Sequence, residues 1–143
     1  MIRVSKKTIA EDSAAPLRPD MLGIHVWWLV TQDTVTSRTM VLNIAELPPG
    51  AIHWLHRHPH ADQSVVVMSG SALCFGESES FPVQAGEVVH VPAMEWHGLA
   101  NLRNERVAIV TIYGGVATQD DAGYELHPAA EQRAQSLAVN RTV

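Results

Sequence analysis

The stretch Ala51-Ile-His-Trp-Leu-His-Arg-His-Pro-His60 carries four of the chain's eight histidines. His56 and His58 lie two residues apart, and on a β-strand this spacing sends both imidazoles to one face. Two neutral imidazole nitrogens on one face are half of a metal site. The stretch therefore predicts a strand that carries metal ligands.

A second block, Gly86-Glu-Val-Val-His-Val-Pro-Ala-Met-Glu-Trp-His-Gly-Leu-Ala-Asn101, supplies a further candidate ligand in His97. The two blocks together resemble the two signature motifs of the cupin superfamily. Matching residues hold the motif positions at the motif spacing: Gly50, His56, His58 and Gly70 in the first motif, and Gly86, Pro92, His97 and Asn101 in the second. Gln63 stands where the family usually has glutamate, and Met94 where it usually has glycine.

The resemblance implies an all-β cupin jelly roll, a β-sandwich or barrel, and short apolar runs between turn signals predict the same class. The predicted strands are residues 22–31, 36–47, 51–57, 64–69, 71–76, 87–91, 96–102 and 106–113. Residues 127–140 predict a short C-terminal helix with Pro128 in its first turn. We expect residues 1–20 to form an N-terminal arm, able to add a strand to a neighbouring subunit, and residues 21–143 to form a single cupin domain.

Composition narrows the class of partners. The net charge is −5, and no basic run is longer than Lys6-Lys7, so we do not expect nucleic acid as a partner. Cys74 is the only cysteine, which rules out an intrachain disulfide. The N-terminus lacks the apolar core of a signal peptide, and the longest apolar stretch, around residues 24–30, is too short to span a bilayer. We therefore expect a cytoplasmic protein without membrane contact.

Strand alternation predicts what surrounds the metal. Residues that share the parity of a candidate ligand should face the same cavity. Together with Trp96, which adjoins a ligand and could contact a ring, the predicted substrate-binding residues are Ile52, Trp54, Val65, Val67, Trp96 and Leu99. No arginine or lysine shares this parity, so the pattern favours an apolar or aromatic substrate over a phosphate or a sugar acid.

The ligand set that the cupin motifs imply is His56, His58, Gln63 and His97. A neutral amide in place of a carboxylate leaves a divalent metal its full charge and makes it a stronger Lewis acid. Oxygen-activating iron sites often use two histidines and a carboxylate, so Gln63 favours Zn²⁺, with Fe²⁺, Ni²⁺ and Mn²⁺ as alternatives. The other interpretations are an amide outside the ligand set and, for the three histidines, hydrogen-bonded core residues without metal.

His60 has three interpretations. It shares the parity of His56 and His58, but Pro59 is expected to end the strand before it. It is a surface-loop residue, a fourth histidine ligand, or a proton shuttle, and we treat His60 and Gln63 as the candidate catalytic residues. His53 has the opposite parity and is expected on the exterior or at an interface.

The run His56-Arg-His-Pro-His-Ala-Asp-Gln63, in a single-cupin chain of this size, resembles the small cupin-type cyclases of bacterial aromatic polyketide pathways, the tetracenomycin and resistomycin type. The resemblance implies a zinc-dependent homodimer in antibiotic biosynthesis that cyclises a poly-β-ketone, either free or tethered to an acyl carrier protein. Similar runs occur in uronate-linearising cupins. The alternatives are an iron dioxygenase, an isomerase or lyase on a small molecule, and a non-catalytic ligand-binding cupin.

A homodimer is also expected because a jelly roll leaves strand edges exposed. The face of the strands opposite the predicted cavity is also apolar, which supports a dimer interface there. Its residues are Met40, Leu42, Ile44, Val66 and Met68.

Overall fold

The computed structural model describes residues 1–140. Its strands are β1 His25–Val30, β2 Met40–Leu47, β3 Ile52–Arg57, β4 Gln63–Ser69, β5 Ser71–Phe75, β6 Ser80–Gln84, β7 Val88–Val91, β8 His97–Ala100, β9 Val107–Gly114 and β10 Glu125–Leu126. Its helices are α1 Gln32–Val35, α2 Gln119–Ala122 and α3 Ala130–Asn140, preceded by short 3-10 turns at Ala15–Leu17 and Pro19–Met21. None of the helices in this part of the chain is long and apolar enough to cross a bilayer.

The strands form two antiparallel sheets with a buried apolar core between them. The first sheet has the order β1-β2-β9-β4-β7, and the second has the order β10-β3-β8-β5-β6. From β2 onward the chain passes back and forth between the sheets, which is the jelly-roll path. The prediction of an all-β jelly roll with a short C-terminal helix is confirmed.

Each predicted strand is present with ends shifted by a few residues, whereas β6 and β10 are absent from the prediction. β6 contains Pro82, which is tolerated because β6 is an edge strand and its missing N–H is not needed there. β10 is only two residues long. Helix α3 begins at Ala130 and not at residue 127, because the His127 ring accepts a hydrogen bond from the amide of Ala129 before the helix starts.

A bulge in β3 changes which side chains face the pocket between the sheets. His53 pairs with Leu99, and three residues later His56 pairs with His97, which is only two residues from Leu99. β3 therefore contains one extra residue over this stretch, which reverses the alternation of its side chains. As a result His53 and His56 both line the pocket, although a regular strand would send them to opposite faces.

Helix α3 covers the outer face of the second sheet. Leu137 of α3 shares a buried cluster with Leu55 and Phe75 of the sheet. Ile52 and Trp54 pack against this cluster and not into the cavity. The prediction that these two residues bind substrate placed them on the wrong face, because the bulge lies between them and the ligand histidines.

Residues 1–20 pack on their own chain. The backbone amide of Asp12 donates to the carbonyl of Val26 at 2.8 Å, and its carboxylate accepts a hydrogen bond from Trp28 Nε1 at 3.1 Å. The structure places no strand in residues 1–20, and the expected boundary at residue 20 falls inside the turn Pro19–Met21. Contact of this segment with a second subunit stays a prediction.

Gly98 permits the close approach of β8 to its neighbours. A Cβ atom there would lie 2.3 Å from Phe75 Cζ and 2.8 Å from the carbonyl oxygen of His53, whereas one at Gly114 would meet nothing within 4 Å. We therefore predict that Gly98→Ala lowers the free energy of unfolding by about 1–3 kcal/mol, because the ring and backbone must move. The control Gly114→Ala should change it by less than about 0.5 kcal/mol. Urea unfolding measures both, and similarly small effects would contradict the close packing.

Candidate metal centre

His56 on β3, His58 just after that strand and His97 at the start of β8 meet between the sheets. Their ring centroids lie 5.0 Å apart for His56 and His58, 4.3 Å for His56 and His97, and 5.5 Å for His58 and His97. One ring nitrogen of each histidine lies within 4.8 Å of those of the other two. All three residues are buried. The three side chains are thus arranged as ligands of one metal ion.

Backbone carbonyls fix the orientation of all three rings. Nδ1 of His56 lies 2.6 Å from the carbonyl oxygen of Trp54. Nδ1 of His58 lies 2.8 Å from the carbonyl oxygen of Gly123. Nδ1 of His97 lies 3.0 Å from the carbonyl oxygen of Glu95. A carbonyl only accepts hydrogen bonds, so Nδ1 carries the hydrogen in each ring and Nε2 keeps its lone pair. The three Nε2 atoms are buried and have no hydrogen-bond partner within residues 1–140.

Gln63 begins β4 on the facing sheet and adds a fourth buried acceptor. Its Nε2 donates to the hydroxyl of Tyr113, its partner across the strand pair, at 3.2 Å. Its Oε1 is buried without a hydrogen-bond partner in the described chain. Three imidazole nitrogens and one amide oxygen are neutral donors that fit a divalent cation. The residues present therefore suit the metal that the sequence motifs imply.

Burial keeps the candidate ligands neutral. Loss of solvent is the main reason that the pKa of His56 lies well below its usual value. Burial also lowers the pKa of His58, and it lowers the pKa of His97 to about 4, although the carbonyl hydrogen bonds act in the opposite direction. Neutral imidazole is the form that binds metal, so these residues are ready to bind at neutral pH.

Met94 has a left-handed backbone conformation, with φ of 72°, at the position where the cupin motif usually has glycine. A non-glycine residue in this region costs roughly 1–3 kcal/mol. The amide of Met94 donates to the carbonyl of His58 at 3.0 Å. The strained turn is thus tied to the backbone of a candidate ligand, which accounts for the conformation without a glycine.

The histidine cluster lies in the wall of a pocket of about 400 Å³ between the sheets. Apolar side chains make up much of the remaining wall, among them Met21, Ile24, Val26, Trp28, Leu47 and Ile109. A pocket whose wall combines apolar side chains with several polar groups suits a small molecule that is mainly apolar and carries polar atoms.

The predicted substrate-binding residues divide between the two faces of the sheets. Val65 and Leu99 line the pocket. Val67 is buried in the core between the sheets but is not part of the pocket wall. Three pack against the cluster beneath α3: Ile52, Trp54 and Trp96. Trp96 lies there because it precedes His97 and its side chain takes the opposite direction.

His60 lies outside the pocket. Its side chain is exposed, and its backbone amide donates to the carbonyl of Ala122 at 3.0 Å. The strand ends at Arg57, so the alternation that groups His60 with His56 and His58 does not extend to it. Its placement corresponds to the surface-loop interpretation and not to a fourth ligand or a proton shuttle.

A series of hydrogen-bonded polar side chains lies beside the candidate metal centre, and it was not predicted from the sequence. The Arg18 guanidinium pairs with both carboxylate oxygens of Asp20, at 3.1 and 2.6 Å. Asp20 accepts a hydrogen bond from the Tyr124 hydroxyl, which in turn lies 3.3 Å from His53 Nε2. The ring of His53 stacks on His56 with centroids 4.0 Å apart. His53 is therefore part of the pocket and not an exterior residue.

The side chains of this hydrogen-bonded series have shifted pKa values. Burial alone would raise the pKa of Asp20, but hydrogen bonds from Arg18 and Tyr124 bring it below its usual value. Burial raises the pKa of Tyr124 and lowers the pKa of His53 to about 3. The expectation that no arginine or lysine faces the cavity is wrong, because Arg18 lines the pocket. Strand alternation could not predict this, since it applies only to residues in strands.

Residues 43–113 match the family model of the cupin domain. This chain belongs to the cupin superfamily. Among curated proteins, the cupin is similar to the oxalate decarboxylase OxdC of Bacillus subtilis (strain 168), with 29% identity over 82 residues, which are 54% of this chain and 21% of that protein. The chain therefore spans about a fifth of the length of that relative.

Many solved structures share the fold, among them a cyclase and an isomerase. The polyketide cyclase RemF from Streptomyces resistomycificus superposes with a TM-score of 0.68 and 18% identity, over 85% of this chain and 89% of that one. A sugar phosphate isomerase from the cupin superfamily of Silicibacter pomeroyi superposes with a TM-score of 0.67 and 19% identity, over 79% of this chain and 75% of that one.

The two histidines of the same run provide a matched test of the ligand set. His58→Ala should abolish retention of a divalent metal, because one of the buried nitrogen donors is lost. His60→Ala should leave the metal content unchanged, because that side chain is exposed. Elemental analysis of the purified, folded variants measures both. Stoichiometric metal in the His58 variant would remove His58 from the site.

Proposed function

We propose that this cupin is a zinc-dependent polyketide cyclase that promotes aldol-type ring closure and aromatisation of a poly-β-ketone. The observation that carries the proposal is the neutral donor set, three histidines and Gln63, in the wall of a largely apolar pocket. A neutral set favours Lewis-acid chemistry over oxygen activation by iron. Similarity in fold to the Streptomyces cyclase over 85% of this chain is consistent with the proposal.

The reaction divides between the metal and the chain. A divalent ion at this site would polarise the acceptor carbonyl and stabilise the enolate oxyanion. The walls of the pocket, with Trp28, Leu99 and Ile109 among them, would exclude water from the poly-β-ketone. They would also hold it folded so that the reacting carbons meet, which is an orientation effect.

His53 is our candidate for the group that removes the methylene proton. Its ring lines the pocket, and a neutral imidazole nitrogen can accept a proton. Because the Tyr124 hydroxyl donates to Asp20, it accepts from His53 Nε2, which leaves Nδ1 of His53 as the acceptor. Tyr124 and Asp20 thus hold the ring and select its tautomer.

A second candidate function is that of an isomerase, lyase or decarboxylase acting on a small organic acid. The presence of Arg18 in the pocket wall favours it, because guanidinium groups bind carboxylates. Arg18 is already paired with Asp20, so much of its charge is compensated. Turnover of oxalate or of a uronic acid that disappears in Arg18→Met would favour this function over cyclisation.

We also propose that the cupin is a cytoplasmic homodimer that receives its substrate free or on an acyl carrier protein. A row of apolar side chains crosses the outer face of the first sheet in register, formed by Trp27, Ile44, Val110, Val66 and Val88. Val88 is 57% exposed, and nearby Met68 is 59% exposed. Exposed apolar faces of this kind mark interfaces, and a second copy of the chain would cover this one.

Gln63→Glu tests the Lewis-acid proposal. An anionic ligand lowers the effective charge of the metal, so we expect cyclisation of a poly-β-ketone to slow by roughly tenfold or more while metal is retained. The assay follows turnover of a poly-β-ketone made in situ, under air and under argon, with zinc as the only metal. The control Gln132→Glu makes the same change on the exposed face of α3 and should leave turnover unchanged.

The same assay contains the outcomes that would overturn the proposal. Turnover that requires oxygen, or activity restored by iron and not by zinc, would assign the site to a dioxygenase. Turnover that is as fast in the Gln63 variant as in the wild type would show that the neutral ligand does not matter.

Val66→Lys tests the proposed dimer. Val66 lies in the middle of the apolar row, between Val110 and Val88, so a charge there should produce a monomer. Phe81→Lys, on the edge strand of the other sheet, is the matched control and should leave the dimer intact. Light scattering at micromolar concentration measures the mass of each variant. A monomeric wild type would contradict the proposal.

A further inference from the structure

Two polar residues stand side by side in the apolar wall of the pocket. Asn43 on β2 and Thr111 on β9 are direct partners across the strand pair, and both line the pocket. Asn43 is 5% exposed and Thr111 is 3% exposed. Trp28 lies beside Asn43 and Val65 beside Thr111 in the same row. The pair is thus a small polar spot with apolar neighbours on both sides.

One hydrogen-bond acceptor of this pair is not used among the described residues. Asn43 Oδ1 is buried and has no hydrogen-bond partner in residues 1–140. A buried polar atom without a partner is destabilising and uncommon, so it calls for an explanation. Gln63 Oε1 and the three histidine Nε2 atoms share this property, and they belong to the candidate metal centre. Asn43 does not, since it lies on a different row of the first sheet.

The position of the pair relative to the metal centre follows from the strand register. Gln63 pairs with Tyr113, and two residues along each strand Val65 pairs with Thr111. Residues two apart on a strand point to the same face and lie roughly 6.5 Å from each other. The polar pair therefore occupies the row next to Gln63, on the same wall of the same pocket.

We propose that Asn43 and Thr111 form a subsite that holds one enol hydroxyl of the substrate while another substrate oxygen lies at the histidine cluster. The unpaired amide oxygen of Asn43 can only accept a hydrogen bond, and the Thr111 hydroxyl can accept or donate, which suits a neutral enol hydroxyl. The pair carries no charge to bind a carboxylate or phosphate. That the ligand is a poly-β-ketone rests on the proposed function, whereas the existence of the subsite rests on the unpaired Oδ1 of Asn43 and its place in the pocket wall.

This subsite has a role in the choice of product. A poly-β-ketone carries many similar carbonyls, and one contact point would leave several of them free to occupy the metal centre. A second contact at a fixed distance restricts which carbonyl lies there, because the chain between the two contacts must span the interval between the two rows. The subsite thereby selects the carbons that are joined.

Two small ketones test the subsite without relying on turnover. The probes are acetylacetone, with two carbonyls, and diacetylacetone, the linear triketone with one more oxygen to reach the pair. Calorimetry on the zinc-loaded protein measures the affinity of each. Asn43→Leu and Thr111→Val should each weaken diacetylacetone binding by about fivefold to tenfold, the value of one hydrogen bond, and leave acetylacetone within about twofold. The matched control Ile109→Val, in the same wall, should change both affinities alike.

Protein stability gives an independent result. If Asn43 serves a ligand, Asn43→Leu removes an unpaired buried amide, and the free energy of unfolding should stay the same or rise. If Asn43 is structural, the substitution should destabilise the fold and leave the preference for the triketone unchanged, which would overturn the subsite. Thr111→Val supplies the binding result should the leucine variant fail to fold.

The outcomes also separate this inference from the proposed function. A triketone preference that disappears in the variants, in a protein that does not cyclise poly-β-ketones, would keep the subsite and reject the cyclase. Cyclisation in a protein whose triketone preference survives both substitutions would keep the cyclase and reject the subsite.

Discussion

The candidate metal centre depends on three hydrogen bonds from imidazole Nδ1 atoms to backbone carbonyls. These bonds set the tautomer of His56, His58 and His97 and leave each Nε2 as a lone-pair donor between the sheets. Two of the carbonyls lie two residues before the histidine they serve, so β3 and the turn before β8 supply their own acceptors. The third belongs to Gly123, far along the chain. The site therefore requires local strand geometry and the docking of a distant loop together.

Much of the fold and of the ligand set could be predicted from the sequence. The spacing of glycine, proline and histidine in the two motifs predicts where turns end and strands begin, and this prediction needs only the sequence. The two departures from the motifs, Gln63 and Met94, both lie at positions where the structure has an unusual feature. The amide oxygen of Gln63 lies in the pocket wall, buried and without a partner among residues 1–140, and Met94 holds a left-handed turn against the backbone of His58.

The wall of the pocket could not be predicted as well, for two physical reasons. Alternation is a local rule, and the bulge in β3 breaks it between His53 and His56, so that His53 lines the pocket and Trp54 packs on the outer face. Alternation also describes only strands, so it is silent about Arg18, which reaches the pocket from the N-terminal segment. The pairing of Asn43 with Thr111 depends on the register between two strands that are far apart in the chain. This register could not be predicted from a single sequence.

The bond between His58 and Gly123 has a consequence for the order of events in the cell. Gly123 follows His58 by 65 residues, so a nascent chain carries all of its histidine ligands well before it carries the acceptor that orients one of them. Until that acceptor is synthesised and docks, its hydrogen bond cannot fix which nitrogen of His58 faces the pocket. The orientation of His58 is therefore set late in synthesis, after the residues that carry the other two histidines have been made.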